Sequence, residues 1–92
     1  MIRSFHDRET KELFEREASR QWANIGRIAL RLLRLLHRVS TLADLRAVPG
    51  NRLEALKGGR AGQHSMRVND QYRICFRWKD GEAYDVELTD YH

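Results

Sequence analysis

The sequence predicts an α+β domain, helices first and a mostly antiparallel sheet after them. Three observations carry this. Between Ile25 and Val39, the apolar residues Ile25, Ile28, Ala29, Leu32, Leu33, Leu35, Leu36 and Val39 recur at helical spacing and predict one broad inward face. From Tyr72 to Trp78 the pattern switches to a period of two, with Tyr72, Ile74, Phe76 and Trp78 alternating with Arg73, Cys75 and Arg77. Pro49-Gly50-Asn51 marks the turn between the two textures. Helices on one sheet face would leave the other face to solvent or a ligand.

Met1 to Phe5 reads as a short strand anchored by Ile2 and Phe5. Asp7 is placed to cap a helix reaching Phe14 or Arg16, with Leu13 and Phe14 inward. Ser19 to Trp22 is a break, and Trp22 or Ile25 opens a longer helix to His37 or Val39. Arg27, Arg31, Arg34 and Arg38 fall at spacings of four, three and four, a basic stripe opposite the apolar face. The stripe is either a solvated face or a docking rail for nucleic-acid backbone or an acidic partner. Ser40 or Thr41 starts a further helical turn with Leu42 and Leu45 inward.

Beyond the turn, Leu53 to Leu56 reads as a short strand. Lys57-Gly58-Gly59-Arg60-Ala61-Gly62 is a glycine-rich basic loop. It lacks the trailing Lys-Ser or Lys-Thr of a P-loop and precedes a strand, which excludes nucleoside triphosphate binding. A loop lying over a phosphate backbone fits better. Gln63 to Val68 alternates, with His64, Met66 and Val68 on one face and Ser65 and Arg67 on the other. For the apolar sets to share a core, Val68 must pair with Tyr72 across an odd loop, Asn69-Asp70-Gln71. The same logic predicts an odd loop at Lys79-Asp80-Gly81, so that Tyr84, Val86 and Leu88 share the face of Trp78. The open face would then carry Ser65, Arg67, Arg73, Cys75, Arg77, Asp85 and Glu87. Asp85 and Glu87 are expected to neutralise Arg77 or its neighbours, while Arg67 and Arg73 lie opposite each other with no obvious acid between them.

Ninety-two residues, 41% hydrophobic with a single Pro, fit one globular domain, 1–92, around one core. A net charge of +4 suits a polyanionic partner. Cys75 has no partner for an internal disulfide and reads as a small packed residue in a cytoplasmic protein. Arg3, His6, Asp7 and Arg8 argue against a secretory leader, and no apolar run is long enough for a membrane span. His6, His37, His64 and His92 lack ligand-like spacing, so no metal site and no cofactor are expected. By parity His64 belongs to the core.

The groups that could converge at one end of the open face are Glu54, Lys57, Arg73, Asp90, Tyr91 and His92. A guanidinium on a rigid strand is a preorganised phosphate clamp. With an imidazole and a carboxylate beside it, the set suits RNA cleavage without a metal. A base takes the 2′-hydroxyl proton, the oxygen attacks the adjacent phosphate, cations stabilise the added charge, and an acid protonates the leaving 5′-oxygen. In this scheme His92 is the acid, Arg73 and Lys57 are the cations, and Tyr91 stacks on a base or holds the hydroxyl. The bland alternative is that the final Asp-Tyr-His is a frayed tail.

Over MIRSF, NRLEALKGGRAGQHSMRVNDQYRICFRW and GEAYDVELTDYH, essentially the whole chain, the sequence resembles the RelE-type toxins of bacterial toxin–antitoxin systems. Within them it resembles the HigB branch, the plasmid-maintenance killer proteins. The resemblance implies the RelE-like microbial-RNase-type fold, a small mostly antiparallel sheet with two N-terminal helices packed on one face. It implies a metal-independent endoribonuclease that cuts mRNA in the A site of the 70S ribosome, leaving a 2′,3′-cyclic or 3′-phosphate and a 5′-hydroxyl. It also implies a helix-turn-helix, HigA-like antitoxin that silences the toxin in a hetero-oligomer. Lys57, Arg73, Asp90, Tyr91 and His92 match the family's active-site pattern by position. Many members carry a histidine where this chain has Glu54; the glutamate is either the general base or a weaker substitute that gives a mild toxin. Arg60, Arg67 and Arg77 are expected to contact RNA, and Arg27, Arg31, Arg34 and Arg38 to contact a partner. Two non-enzymatic alternatives are a ParE-like gyrase poison on the same fold and a ribosome-binding module with a dead site. The retained Lys57, Arg73 and Asp90-Tyr91-His92 favour the enzyme.

Overall fold

The computed structural model describes residues 1–17, 22 and 24–90. The first helix, α1 (Arg8–Arg16), starts where predicted, because the Asp7 carboxylate accepts the Thr10 backbone N–H at 2.7 Å. Leu13 is buried, and Phe14 packs against Phe5 and His37. The predicted break at Ser19 falls outside the described residues; Trp22, at its far end, is buried. The second helix, α2 (Gly26–Arg38), buries Ala29, Leu32, Leu33 and Leu36. Ile28, expected inward, is 39% exposed. It lies about 100° round the helix from Ala29 and shares a side with Arg31, so the buried stripe is narrower than the apolar pattern. A short helix, α3 (Leu42–Arg46), is capped by the Thr41 hydroxyl, which accepts the Asp44 N–H at 3.2 Å, and buries Leu45.

Four strands follow: β1 (Glu54–Ala55), β2 (Gln63–Arg67), β3 (Tyr72–Lys79) and β4 (Glu82–Asp90). They form one antiparallel sheet in the order β1-β2-β3-β4. Residues 1–5 run parallel along the outer edge of β4, with Ile2 bridging Ala83 and Phe5 bridging Val86. The Arg3 N–H donates to the Ala83 carbonyl at 2.8 Å, and the Ile2 N–H donates to His37 Nδ1 at 3.1 Å. The predicted first strand is therefore an edge segment held at two bridges. β1 is shorter than the predicted Leu53–Leu56, although the Leu56 N–H still donates to the Gln63 carbonyl at 2.8 Å, and Arg52 just before it sits at φ +47°, outside extended geometry.

The predicted Val68–Tyr72 pairing holds, with the Val68 N–H donating to the Tyr72 carbonyl at 3.0 Å. The Asn69 side chain accepts the N–H groups of Gln71 and Tyr72 and closes that loop. The β3–β4 hairpin differs from expectation. Its loop is the two-residue Asp80-Gly81, at φ +52° and +79°, as a tight primed turn requires. Trp78 consequently faces Ala83, and Tyr84 faces Arg77. Parity is restored by a bulge: the register shifts between Cys75 and Arg77, with Asp85 at φ +53° as the extra residue. Beyond it, Val86 and Leu88 return to the core as predicted.

The core lies between the helices and one sheet face, where Met66, Ile74, Phe76, Val86 and Leu88 cluster with Leu13, Leu33, Leu36 and Leu45. Each such side chain contributes about 1.5–3 kcal/mol of burial. His64 belongs to this side as predicted, aligned with Phe76 and stacked on it at 5.9 Å. The buried Thr10 hydroxyl accepts the Leu88 N–H at 3.0 Å, tying α1 to β4. No helix among the described residues is long and apolar enough to cross a membrane.

Candidate active site

On the sheet face away from the helices, the registers align Glu54, Ser65, Cys75 and Glu87 in one row across all four strands. The two middle residues are small and buried; the two outer ones are acids. Each acid meets a guanidinium that reaches over the row. From one side Arg60 Nη1 lies 3.1 Å from Glu87 Oε1 and donates to Gln63 Oε1 at 3.0 Å. From the other side Arg73 Nη2 lies 3.8 Å from Glu54 Oε2. Cys75 lies beneath them, and burial pushes its thiol pKa up.

Arg73 is the most firmly held of these cations. Its side chain is only 14% exposed. Its Nε–H donates to Ser65 Oγ at 2.7 Å, and its Nη2 donates to the Arg52 carbonyl at 2.8 Å. Arg67 and Arg73 face each other as the sequence implied. Their like charges are relieved separately, since Arg67 pairs with Asp70 and Arg73 with Glu54. Arg77 pairs with Asp85 at 3.6 Å, as expected of an acid across the strands.

The structure brings together only some of the predicted site residues. Glu54 and Arg73 meet. Lys57 is exposed at the start of a tight turn, Gly58–Arg60, which folds back so that Arg60 crosses the sheet. Asp90 does not share Arg73's face. It aligns with Tyr72, on the helix side, and accepts from Gln71 Nε2 at 2.9 Å. Thr89 is the residue that pairs with Arg73. Tyr91 and His92 lie outside the described residues. Arg60, Arg67 and Arg77, expected on RNA, each make an internal ion pair. On α2, Arg27, Arg31, Arg34 and Arg38 line a shallow groove of about 450 Å³ with Ile28 and Leu30, and Arg34 pairs with Glu17. Among the described residues, no group of three or more His, Cys, Asp and Glu is placed to hold a metal ion.

Sequence reasoning missed the Arg52 carbonyl and the weight of Ser65. Parity gave Ser65 the right face, and a diagonal cross-strand neighbour is within reach of an arginine. The Arg52 backbone left no signal, since its left-handed φ belongs to no glycine.

A family model described as the RelE-like toxin of the type II toxin–antitoxin system HigB matches residues 3–92. The chain belongs to the HigB-like toxins. Toxin HigB-1 of Vibrio cholerae is 36% identical over 90 residues, covering 96% of this chain and 95% of that protein. Endoribonuclease HigB of Proteus vulgaris is 31% identical over the full length of both. In fold, this HigB-like toxin resembles a chain of a heterotetrameric YoeB–YefM toxin–antitoxin complex from Staphylococcus aureus. That match has a TM-score of 0.61 at 17% identity, over 100% of this chain and 98% of the other. The YoeB/ParE toxin from Agrobacterium tumefaciens gives a TM-score of 0.55 at 18% identity, over 96% of each. The expected RelE-like α+β fold is thus the observed one. The family and the Proteus vulgaris relative together support an endoribonuclease, and a toxin of a type II system has an antitoxin partner.

Proposed function

We propose that this HigB-like toxin is an mRNA endoribonuclease that acts in the cytoplasm, on the 70S ribosome, with mRNA in the A site, and that a HigA-like helix-turn-helix antitoxin silences it. The observation that carries the reading is the Glu54–Arg73 contact: a carboxylate 3.8 Å from a guanidinium that two hydrogen bonds already hold in place. A base and a phosphate clamp at that separation suit attack by a 2′-hydroxyl on its own phosphate.

In this reading Glu54 takes the 2′-hydroxyl proton. The oxygen attacks phosphorus, and the 5′-oxygen leaves with a proton from His92. Arg73 and Lys57 stabilise the charge that builds on the phosphoryl oxygens. Tyr91 holds or stacks on the nucleotide, and Asp90, joined to Gln71, anchors the end of β4 before those two residues. Arg60, Arg67 and Arg77 add positive potential along the RNA path while keeping their internal acids. The arginines of α2 serve a partner surface, antitoxin or ribosomal RNA. Products are a 2′,3′-cyclic or 3′-phosphate and a 5′-hydroxyl.

Mapping 5′ ends of cellular mRNA after brief expression tests this. New 5′-hydroxyl ends within translated reading frames are expected. Growth arrest without them, or with gyrase-linked DNA breaks instead, would overturn it.

A further inference from the structure

The Arg73 side chain is not positioned by its acid alone. Glu54 is 57% exposed and lies at ion-pair range, 3.8 Å, too far for a hydrogen bond. The short contacts are to two neutral oxygens, Ser65 Oγ at 2.7 Å and the Arg52 carbonyl at 2.8 Å. Ser65 is fully buried on β2, aligned between Glu54 and Cys75, so its hydroxyl has a fixed origin. Arg52 holds φ +47°, an uncommon conformation for a residue with a side chain, and its carbonyl meets Arg73 in that conformation.

We infer that Ser65, assisted by the Arg52 carbonyl, is a positioning residue for the phosphate clamp. The guanidinium has five N–H donors in a rigid plane. Ser65 takes the Nε–H and the Arg52 carbonyl takes one Nη2–H, which fixes both the plane and its rotation. The remaining N–H edge is thereby presented to phosphoryl oxygens before RNA arrives. Two neutral acceptors achieve this without cancelling the positive charge, which a second close carboxylate would do. The inference rests on the proposed role of Arg73 and adds how its orientation is set.

The test is single-turnover cleavage of a defined mRNA on programmed ribosomes, with Ser65→Ala, Arg73→Lys, the double variant and Arg73→Ala. Ser65→Ala should lower the cleavage rate about tenfold or more, as misplacing a reacting group does. The ribosome concentration for half-maximal rate should not change. Arg73→Lys keeps a cation but lacks the Nε–H, so adding Ser65→Ala to it should cost nothing further. Independently of activity, the Arg73 Nε–H should be seen by NMR as a slowly exchanging signal that Ser65→Ala turns fast, while Ser65→Thr keeps it slow. An unchanged rate in Ser65→Ala, an equal loss in the Arg73→Lys background, or an Nε–H that exchanges equally fast in wild type and Ser65→Ala would overturn the inference. Full activity in Arg73→Ala would instead overturn the role of Arg73 itself.

Discussion

Arg60 and Glu87 close the middle of the open sheet face, with Nη1 and Oε1 3.1 Å apart across 27 residues of sequence. The pair fastens the Gly58–Arg60 turn to β4 and helps to cover Cys75, whose thiol pKa burial has raised. A thiol so held remains protonated and shielded at neutral pH. Cys75 in the folded toxin should therefore resist alkylation, measured by mass spectrometry, until the protein is unfolded. Arg60→Ala should cost about 1 kcal/mol of stability and speed that alkylation.

His64 makes stability depend on pH. Burial first, then the charge of Arg46, lowers its pKa from the ordinary 6.5. The unfolded chain therefore takes up the proton at a higher pH than the folded one. Stability is fully present above pH 6.5 and falls as the pH drops from there towards the lowered folded value. Melting temperatures at pH 7.5 and 5.0 should differ less in His64→Phe than in wild type.

The arginine groove on α2 is predicted to serve association and not chemistry. Arg31→Gln combined with Arg34→Gln should weaken binding to antitoxin or ribosome in a salt-dependent way, read by titration at about 0.05 and 0.2 M salt. Cleavage at saturating ribosome should not change. The double variant also removes the Arg34–Glu17 ion pair, an exposed contact of small energetic weight.

Glu54→Gln keeps the shape of the side chain and removes its negative charge and basicity. Cleavage should fall by about 10²-fold or more while ribosome binding persists, the range typical of a lost general base. Glu54→His, which puts an imidazole at the proposed base position, should raise cleavage above wild type. Rates from quenched single-turnover reactions separate the two effects.

Much of this arrangement was legible in the sequence because it follows from short-range chemistry. Asp7 caps α1, the period switch at Tyr72 sets β3, and Asn69-Asp70-Gln71 fixes the β2–β3 register. The β3–β4 hairpin was misread because a tight Asp80-Gly81 turn reverses parity and a bulge at Asp85 reverses it back; only the first event has a dipeptide signal. Ile28 was misread because a helix in a small domain buries less of its circumference than its apolar residues allow. In the site, strand parity found Arg73 and Ser65 on one face, and Glu54 is already among the groups expected to converge there. That Glu87 meets Arg60 and Glu54 meets Arg73 was hidden, because both contacts depend on how residues 52–62 fold back over the sheet. Asp90 is expected with Arg73 at one end of the open face, yet the register sets it beside Tyr72.

In the proposed reaction Arg73 stabilises the charge that develops on the scissile phosphate. The most direct test of this role is the single-turnover cleavage rate of Arg73→Ala on programmed ribosomes, with ribosome occupancy measured alongside. Losing such a donor should cost about 2.7–4 kcal/mol of transition-state stabilisation, a 10²–10³-fold drop in rate. Occupancy should stay near wild type, and the melting temperature should fall only as far as one lost hydrogen-bonded charge requires, about 1–3 kcal/mol. A folded, ribosome-bound Arg73→Ala that cleaves at the wild-type rate would contradict the account.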